Sequence, residues 1–125
     1  MNAEHVYVHV PFCARRCTYC DFSIAVRRRV PVEEYLAALA REVERAGMPE
    51  APRTVYLGGG TPSLLGGAGL SRIASLLGRR GDLDEFTVEA NPDDVTPEAA
   101  GAAAAAGVTR LSIGAQSFDD RVLAW

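Results

Sequence analysis

The chain has 125 residues, 48% of them hydrophobic, and a formal net charge of −3, which allows one hydrophobic core and predicts no nucleic-acid partner. The N-terminus has neither the basic region nor the apolar region of a secretory signal, and no apolar run is long enough to span a membrane. We therefore predict a cytoplasmic protein without a transmembrane segment, in which cysteines stay reduced.

The first predicted unit is a strand followed, after an intervening loop, by a helix. Residues 5–10 alternate between polar and apolar side chains, which is typical of a strand, and Pro11 ends it. The apolar spacing then predicts a helix over residues 32–46, with Pro31 before it and Gly47 as its stop.

Two more strand–helix units and a further strand follow. Strands are predicted over residues 54–57, 86–90 and 110–114. The helix after the first of these ends at Gly78, and the helix after the second has Thr96 as its cap. Gly107 is the predicted stop of that helix, and a last helix begins near Asp119.

This alternation predicts an α/β fold with parallel strands and right-handed crossovers. The candidate ligand-binding and metal-binding residues all follow a strand or lie at the end of one. Ligands bind at that edge both in βα barrels and in open α/β sheets, so we expect the functional site there.

The three cysteines of the chain, Cys13, Cys17 and Cys20, lie within one eight-residue segment. Disulfide pairing would leave one of them over, whereas three thiolates can hold an iron–sulfur cluster and leave one iron free for a ligand. The alternative is a structural zinc site with His9 as the fourth ligand. Pro11 between His9 and Cys13 makes that geometry cramped.

Five other features are candidates for ligand contacts, and all but Gln116 also have another interpretation. Residues 58–60 are glycines, which permit close backbone approach to a ligand but also suit an ordinary turn. Glu89 can accept two ribose hydroxyls or can be a solvated charge, and Gln116 offers a donor and an acceptor. Tyr7 can contact a ligand or belong to the core, and Tyr19 can cover a cluster or pack on a purine.

Four segments together resemble a known family. They are YVHVPFCARRCTYCDF at residues 7–22, GGGTPSLL at 58–65, EANP at 89–92 and RLSIGAQSF at 110–118. In this order they are similar to the motifs of the coproporphyrinogen III dehydrogenase/HemW family of radical S-adenosylmethionine (SAM) proteins. The resemblance covers nearly the whole chain.

The resemblance implies two cofactors and a fold. A [4Fe–4S] cluster would be held by Cys13, Cys17 and Cys20, and its reduced form would cleave SAM. The implied SAM contacts are Tyr7, Tyr19, Gly59, Gly60, Thr61, Glu89 and Gln116. Residues 1–125 would form the N-terminal part of a radical SAM core domain, an incomplete TIM-like (β/α) barrel. Because such an arc has an unpaired strand edge, we expect the chain alone to aggregate.

The family contains two functional types. The oxygen-independent oxidase decarboxylates coproporphyrinogen III and has a further cysteine two residues after the third ligand, where this chain has Phe22. The resemblance therefore favours the HemW type, a haem chaperone that passes haem to acceptor proteins. Its haem-binding residues would lie beyond Trp125, and the electron donor and the haem acceptor stay unknown.

Overall fold

The computed structural model describes residues 3–50, 52–77 and 83–124. Within these residues the strands, in chain order, are β1 (His5–Val10), β2 (Phe12–Cys13), β3 (Ala25–Val26), β4 (Thr54–Gly59), β5 (Glu85–Ala90) and β6 (Arg110–Ile113). The α-helices of the same residues are α1 (Val32–Ala46), α2 (Gly66–Leu76), α3 (Pro97–Ala105) and α4 (Asp120–Leu123). The predicted α/β fold is confirmed.

Four strands form one parallel sheet in the order β1-β4-β5-β6. Val8 pairs with Leu57, Leu57 with Val88, and Val88 with Leu111, so the apolar positions of all four strands lie in one row. Because the strands are parallel, their carboxyl ends lie at one edge of the sheet.

One face of this sheet forms the hydrophobic core with the helices. Alternate residues of each strand point to this face. The largest fully buried side chains include Leu57 and Phe86 from the strands and Leu36 and Ile73 from α1 and α2. Burial of each such side chain contributes about 1.5–3 kcal/mol, which makes this face the main source of stability. The opposite face carries His5, Tyr7 and His9 of β1, as the alternation of the sequence predicts.

The boundaries of α1 and α3 lie at the residues predicted to cap or end these helices. Gly47 ends α1 with φ 72°, a left-handed conformation that glycine adopts without strain. Thr96 caps α3, since its Oγ1 accepts a hydrogen bond of 3.1 Å from the backbone N–H of Ala99. Gly107 follows α3 with φ 94°. Gly78, the predicted stop of α2, lies outside the described residues.

Two features are not evident from the sequence pattern. β2 and β3 form a separate two-residue parallel pair, which is too short to produce an alternating pattern. Residues Pro62–Leu65 and Pro92–Asp94 form 3₁₀ turns between a strand and the next helix. Within the described parts of the chain, no helix has both the length and the apolar character needed to cross a membrane.

Candidate functional site

The segment between β2 and β3, residues 14–24, is here named the cysteine loop. Its two ends are fixed by backbone hydrogen bonds, from Ala25 N–H to the Pro11 carbonyl at 2.7 Å and from Arg27 N–H to the Cys13 carbonyl at 3.0 Å. Inside it, Cys20 N–H donates to the Cys17 carbonyl at 3.1 Å. The loop therefore begins and ends at the carboxyl edge of the sheet, next to β1.

The three cysteines are free thiols that differ in exposure. Cys17 is exposed, whereas Cys13 and Cys20 are half-buried. Among residues 3–50, 52–77 and 83–124, no three His, Cys, Asp or Glu side chains are gathered into a group that could hold a metal ion. The fold thus places Cys17 and Cys20 in the cysteine loop and Cys13 in the strand that precedes it, without closing the three thiols around a common point.

Two aromatic side chains accompany the cysteines. Tyr19 is 60% exposed, and a hydrogen bond with Cys17 raises the pKa of its hydroxyl. Phe22, at the position that distinguishes the two functional types, is 70% exposed. Large exposed aromatic side chains at a strand edge are suited to cover a bound group.

His9 supports the cysteine loop from the sheet. Its Nε2 lies 3.1 Å from the Ser23 carbonyl oxygen, so the ring donates a hydrogen bond there when Nε2 carries the proton. His9 belongs to no metal-binding group with the cysteines in the described part of the chain.

The segment 58–61, here named the glycine loop, comprises the last two residues of β4 and the two that follow, and it packs directly on the start of the cysteine motif. Gly59 has φ 110°, and a Cβ atom added at Gly60 would lie 2.6 Å from the Phe12 carbonyl oxygen. Gly60 N–H donates to the Val10 carbonyl at 2.7 Å and Thr61 N–H to the Phe12 carbonyl at 2.7 Å. Glycine is therefore required here for close backbone approach, which is more than an ordinary turn demands.

Glu89, at the end of β5, is half-buried and held by two donors. Its Oε1 accepts a hydrogen bond from the Tyr56 hydroxyl at 2.7 Å, and its Oε2 accepts one from Gly59 N–H at 3.1 Å. The hydrogen bond to Glu89, followed by burial, raises the pKa of Tyr56. Glu89 is thus a positioned carboxylate rather than a freely solvated charge, and each oxygen keeps a lone pair for a further donor.

Tyr7 lies on the polar face of the sheet, next to Tyr56. Their rings are stacked, with centroids 6.0 Å apart and an interplanar angle of 19°. Tyr7 is 59% exposed, so it is not part of the core. Burial and the charge of Glu89 raise the pKa of Tyr7. The stacked pair gives the polar face a flat aromatic surface beside the Glu89 carboxylate.

Thr61 connects the glycine loop to the cysteine motif through its side chain. It is 4% exposed, and its Oγ1 lies 3.5 Å from Cys13 Sγ. Asn91, which follows β5, has its Nδ2 3.4 Å from the same Oγ1. The Thr61 hydroxyl group, just after β4, therefore contacts residues at the ends of both β2 and β5.

Gln116 follows the last strand of the sheet and has an unusual backbone. Its φ is 65°, which is uncommon for a residue other than glycine and is a frequent property of functional sites. The side chain is exposed, with Nε2 donating to the Gly114 carbonyl at 3.2 Å. Among the candidate SAM contacts, Gln116 is the one that follows β6, the fourth strand of the sheet.

Sequence reasoning missed the contributions of Tyr56 and Asn91. Tyr56 precedes the glycine loop in an ordinary strand pattern, and only the strand register brings its hydroxyl to Glu89. Asn91 lies within the motif EANP at residues 89–92, but no sequence pattern indicates that its side chain contacts Thr61. A weak signal existed for Tyr56, because it shares the polar face with Tyr7, with which it pairs in the register.

The sequence of residues 7–125 matches the family model of the Radical SAM superfamily. The chain belongs to the radical SAM superfamily. Membership of this superfamily implies a [4Fe–4S] cluster and SAM as cofactors. The residues present suit such a cluster, since the three cysteines are free thiols beside a glycine loop and thiolate is the ligand type that iron–sulfur clusters take.

Individual radical SAM relatives are similar over almost all of the chain. It is 42% identical over 128 residues to the heme chaperone HemW of Bacillus subtilis, and 46% identical over 131 residues to that of Mycobacterium tuberculosis. These matches cover 96% and 95% of this chain but 34% and 33% of the relatives. The chain thus spans about a third of the length of these relatives.

A solved structure supports the same fold. The chain superposes on coproporphyrinogen III oxidase (HemN) from Escherichia coli, a radical SAM enzyme, with a TM-score of 0.84 and 32% sequence identity. The superposition covers 98% of this chain and 30% of that enzyme. The parallel sheet described above is therefore a radical SAM sheet, which is consistent with the predicted partial barrel.

Proposed function

We propose that this chain holds a [4Fe–4S] cluster on Cys13, Cys17 and Cys20 and binds SAM at the adjoining sheet edge. The observation that carries the proposal is the contact between the glycine loop and the cysteine motif, where Thr61 Oγ1 lies 3.5 Å from Cys13 Sγ. A loop built for close backbone approach thus adjoins a set of three thiols at the edge where α/β proteins bind ligands.

The cysteine loop is suited to close around a cluster. Its ends are fixed and its interior carries few contacts, so Cys17 and Cys20 can turn toward Cys13 without disturbing the core. When bound, a reduced cluster supplies the electron that cleaves SAM. Tyr19 and Phe22, both exposed beside the thiols, would exclude water from the cluster.

The SAM contacts that we propose lie in β1, at or after the ends of β4, β5 and β6, and in the cysteine loop. The backbone carbonyls of Gly59 and Gly60 would accept hydrogen bonds from the SAM ammonium group, and Thr61 follows them in the same loop. The proposed role of Glu89 is to accept the ribose hydroxyls, supported by the two donors that already fix its orientation. Tyr7, Tyr19 and Gln116 complete the proposed set.

We propose a HemW-type haem chaperone as the function of the whole protein, with cytoplasmic location and residues 1–125 as the N-terminal part of its radical SAM core. The support is the similarity to two proteins named heme chaperone HemW and the presence of Phe22 where the oxidase type has a cysteine. The second candidate is oxygen-independent coproporphyrinogen III oxidation, which the superposition on HemN favours.

Anaerobic reconstitution with iron and sulfide tests the cluster. We expect brown protein with about four irons per chain and broad absorbance near roughly 400 nm, as thiolate-ligated clusters show. Cys17→Ala should lose this absorbance, whereas Ser63→Ala, a change in the 3₁₀ turn after the glycine loop, should keep it. Bound zinc with no iron after reconstitution would contradict the proposal.

Titration of the reconstituted protein with SAM tests the second cofactor. Binding should perturb the electron paramagnetic resonance (EPR) spectrum of the reduced cluster, and Glu89→Gln should weaken binding by about tenfold or more, because a charge-assisted pair of ribose hydrogen bonds is lost. A spectrum that SAM leaves unchanged would contradict the proposed site.

Two assays on the whole protein separate the functional candidates. The chaperone proposal expects haem binding and transfer to an acceptor, with no product from coproporphyrinogen III under anaerobic reducing conditions with SAM. Loss of two carboxyl groups from coproporphyrinogen III would instead establish the oxidase.

A further inference from the structure

A hydroxyl group of the glycine loop is aimed at one of the proposed cluster ligands. Thr61 is 4% exposed, and its backbone is fixed beside the cysteine motif by the 2.7 Å hydrogen bond from its N–H to the Phe12 carbonyl. Its Oγ1 lies 3.5 Å from Cys13 Sγ, a normal hydrogen-bond distance for the large sulfur atom. The hydroxyl cannot turn to solvent and has Cys13 as its acceptor.

Asn91 fixes the direction of this hydrogen bond. Its Nδ2 lies 3.4 Å from Thr61 Oγ1, and an amide NH₂ group can only donate. The Thr61 oxygen therefore accepts from Asn91, and its single hydrogen is left for the sulfur. The contact from Asn91 is long and correspondingly weak, so its effect should be smaller than that of the hydroxyl itself.

We propose that Thr61 donates a hydrogen bond to the Cys13 sulfur that raises the reduction potential of a cluster bound there, and that Asn91 is a positioning residue for this donor. The inference rests on the proposed cluster site. A donor on a ligating sulfur stabilises the additional negative charge of the reduced cluster, which favours reduction. The glycine loop would thus tune the cluster electronically as well as contribute to the proposed SAM site.

The test is an EPR-monitored redox titration of the reconstituted protein in the absence of SAM. Thr61→Val keeps the shape of the side chain and removes the donor, so the midpoint potential should fall. We expect a change of up to about tenfold in the ratio of reduced to oxidised cluster, which is about 59 mV for a one-electron couple. Thr61→Ser should restore the potential, because it restores the hydroxyl.

Ser63→Ala is the matched control. The Ser63 hydroxyl also lies just after β4, but it donates to Asp94 Oδ2 at 2.9 Å and contacts no sulfur in the described structure. The potential of this variant should equal that of the unchanged protein. Equal potentials for Thr61→Val and the unchanged protein would overturn the inference, and so would a Thr61→Ser variant that behaves like Thr61→Val.

A double variant tests the part assigned to Asn91. Asn91→Ala should lower the potential by less than Thr61→Val and should have no effect when Thr61 is already Val, because it acts through that hydroxyl. An undiminished effect in the Thr61→Val background would overturn the positioning role. Failure of the unchanged protein to form a cluster would overturn the proposed function together with this inference, whereas a cluster with invariant potentials overturns the inference alone.

Discussion

The glycine loop and the cysteine loop are neighbours at one edge of the sheet, but they are held in different ways. The backbone N–H groups of Gly60 and Thr61 donate hydrogen bonds to the carbonyls of Val10 and Phe12, and the backbone around Gly60 leaves no room for a side chain there. The cysteine loop is fixed at its ends, while its interior residues from Ala14 to Tyr19 are mostly exposed. Tertiary packing thus determines one loop, and the other keeps the freedom to adapt to what it binds.

Among changes within the two loops, the largest expected effect comes from filling the space at Gly60. Gly60→Ala places a Cβ atom 2.6 Å from the Phe12 carbonyl oxygen and 2.8 Å from the Pro11 carbonyl carbon. Backbone atoms cannot yield as a flexible side chain can, so we expect the free energy of unfolding to fall by about 3 kcal/mol. Urea denaturation measures this change.

Gly101→Ala is the matched control for that substitution. Gly101 lies within α3, and a Cβ atom there meets no other atom within 4 Å. Because alanine is the better helix former, we expect this variant to gain about 0.5–1 kcal/mol. Losses of similar size at both glycines would contradict the tight packing that we ascribe to the glycine loop.

A smaller effect is expected where the glycine loop meets the carboxylate of β5. Tyr56→Phe removes the hydroxyl that donates to Glu89 at 2.7 Å. The freed carboxylate should bind SAM about fivefold more weakly, since a net hydrogen bond contributes about 1 kcal/mol. Isothermal titration of the cluster-loaded protein measures the dissociation constant.

Tyr35→Phe is the control for a lost tyrosine hydroxyl. The Tyr35 hydroxyl donates to the His9 carbonyl at 2.8 Å and has no hydrogen bond to Glu89. This variant should bind SAM as the unchanged protein does. Equal weakening in both variants would indicate a general loss of stability rather than a role for Tyr56 in orienting Glu89.

The pH dependence of stability reports on Tyr35, whose hydroxyl is hydrogen-bonded to His9, the residue that contacts the cysteine loop at Ser23. Burial raises the pKa of Tyr35 from 10.0 to about 12. Above pH 10 the unfolded chain loses this proton while the folded chain retains it, so the stabilising contribution is complete below pH 10 and is lost as the pH rises toward 12. Urea midpoints should therefore fall more steeply over this range for the unchanged protein than for Tyr35→Phe. Urea midpoints that fall equally with pH in the two proteins would contradict the expected contribution of Tyr35.

The smallest effect is expected inside the cysteine loop. Cys17 is exposed, and its contacts within the loop are its backbone carbonyl, which accepts from Cys20 N–H, and its side chain, which is hydrogen-bonded to the exposed Tyr19. In protein without bound metal, Cys17→Ser should change the free energy of unfolding by less than about 0.5 kcal/mol. Phe12→Ala, at the buried start of the same motif, should cost about 3–5 kcal/mol. A large loss for Cys17→Ser would show that the loop interior is fixed by packing after all.

The sequence by itself determined the order of the elements and the edge at which the site lies. Proline and glycine fix backbone angles locally, so the bounds of α1 and the cap of α3 could be predicted from neighbouring residues. The cysteine spacing and the motifs after each strand end were equally visible, because they depend on residue type and not on contacts.

Only the tertiary structure decided which of these residues meet. Tyr56 reaches Glu89 because β4 and β5 pair in one particular register, and Asn91 reaches Thr61 because two strand ends lie side by side. Such contacts join residues about 30 positions apart, and no local pattern records them. The short β2–β3 pair that closes the cysteine loop has the same origin, since two residues carry no periodicity and gain their pairing from the sheet beside them.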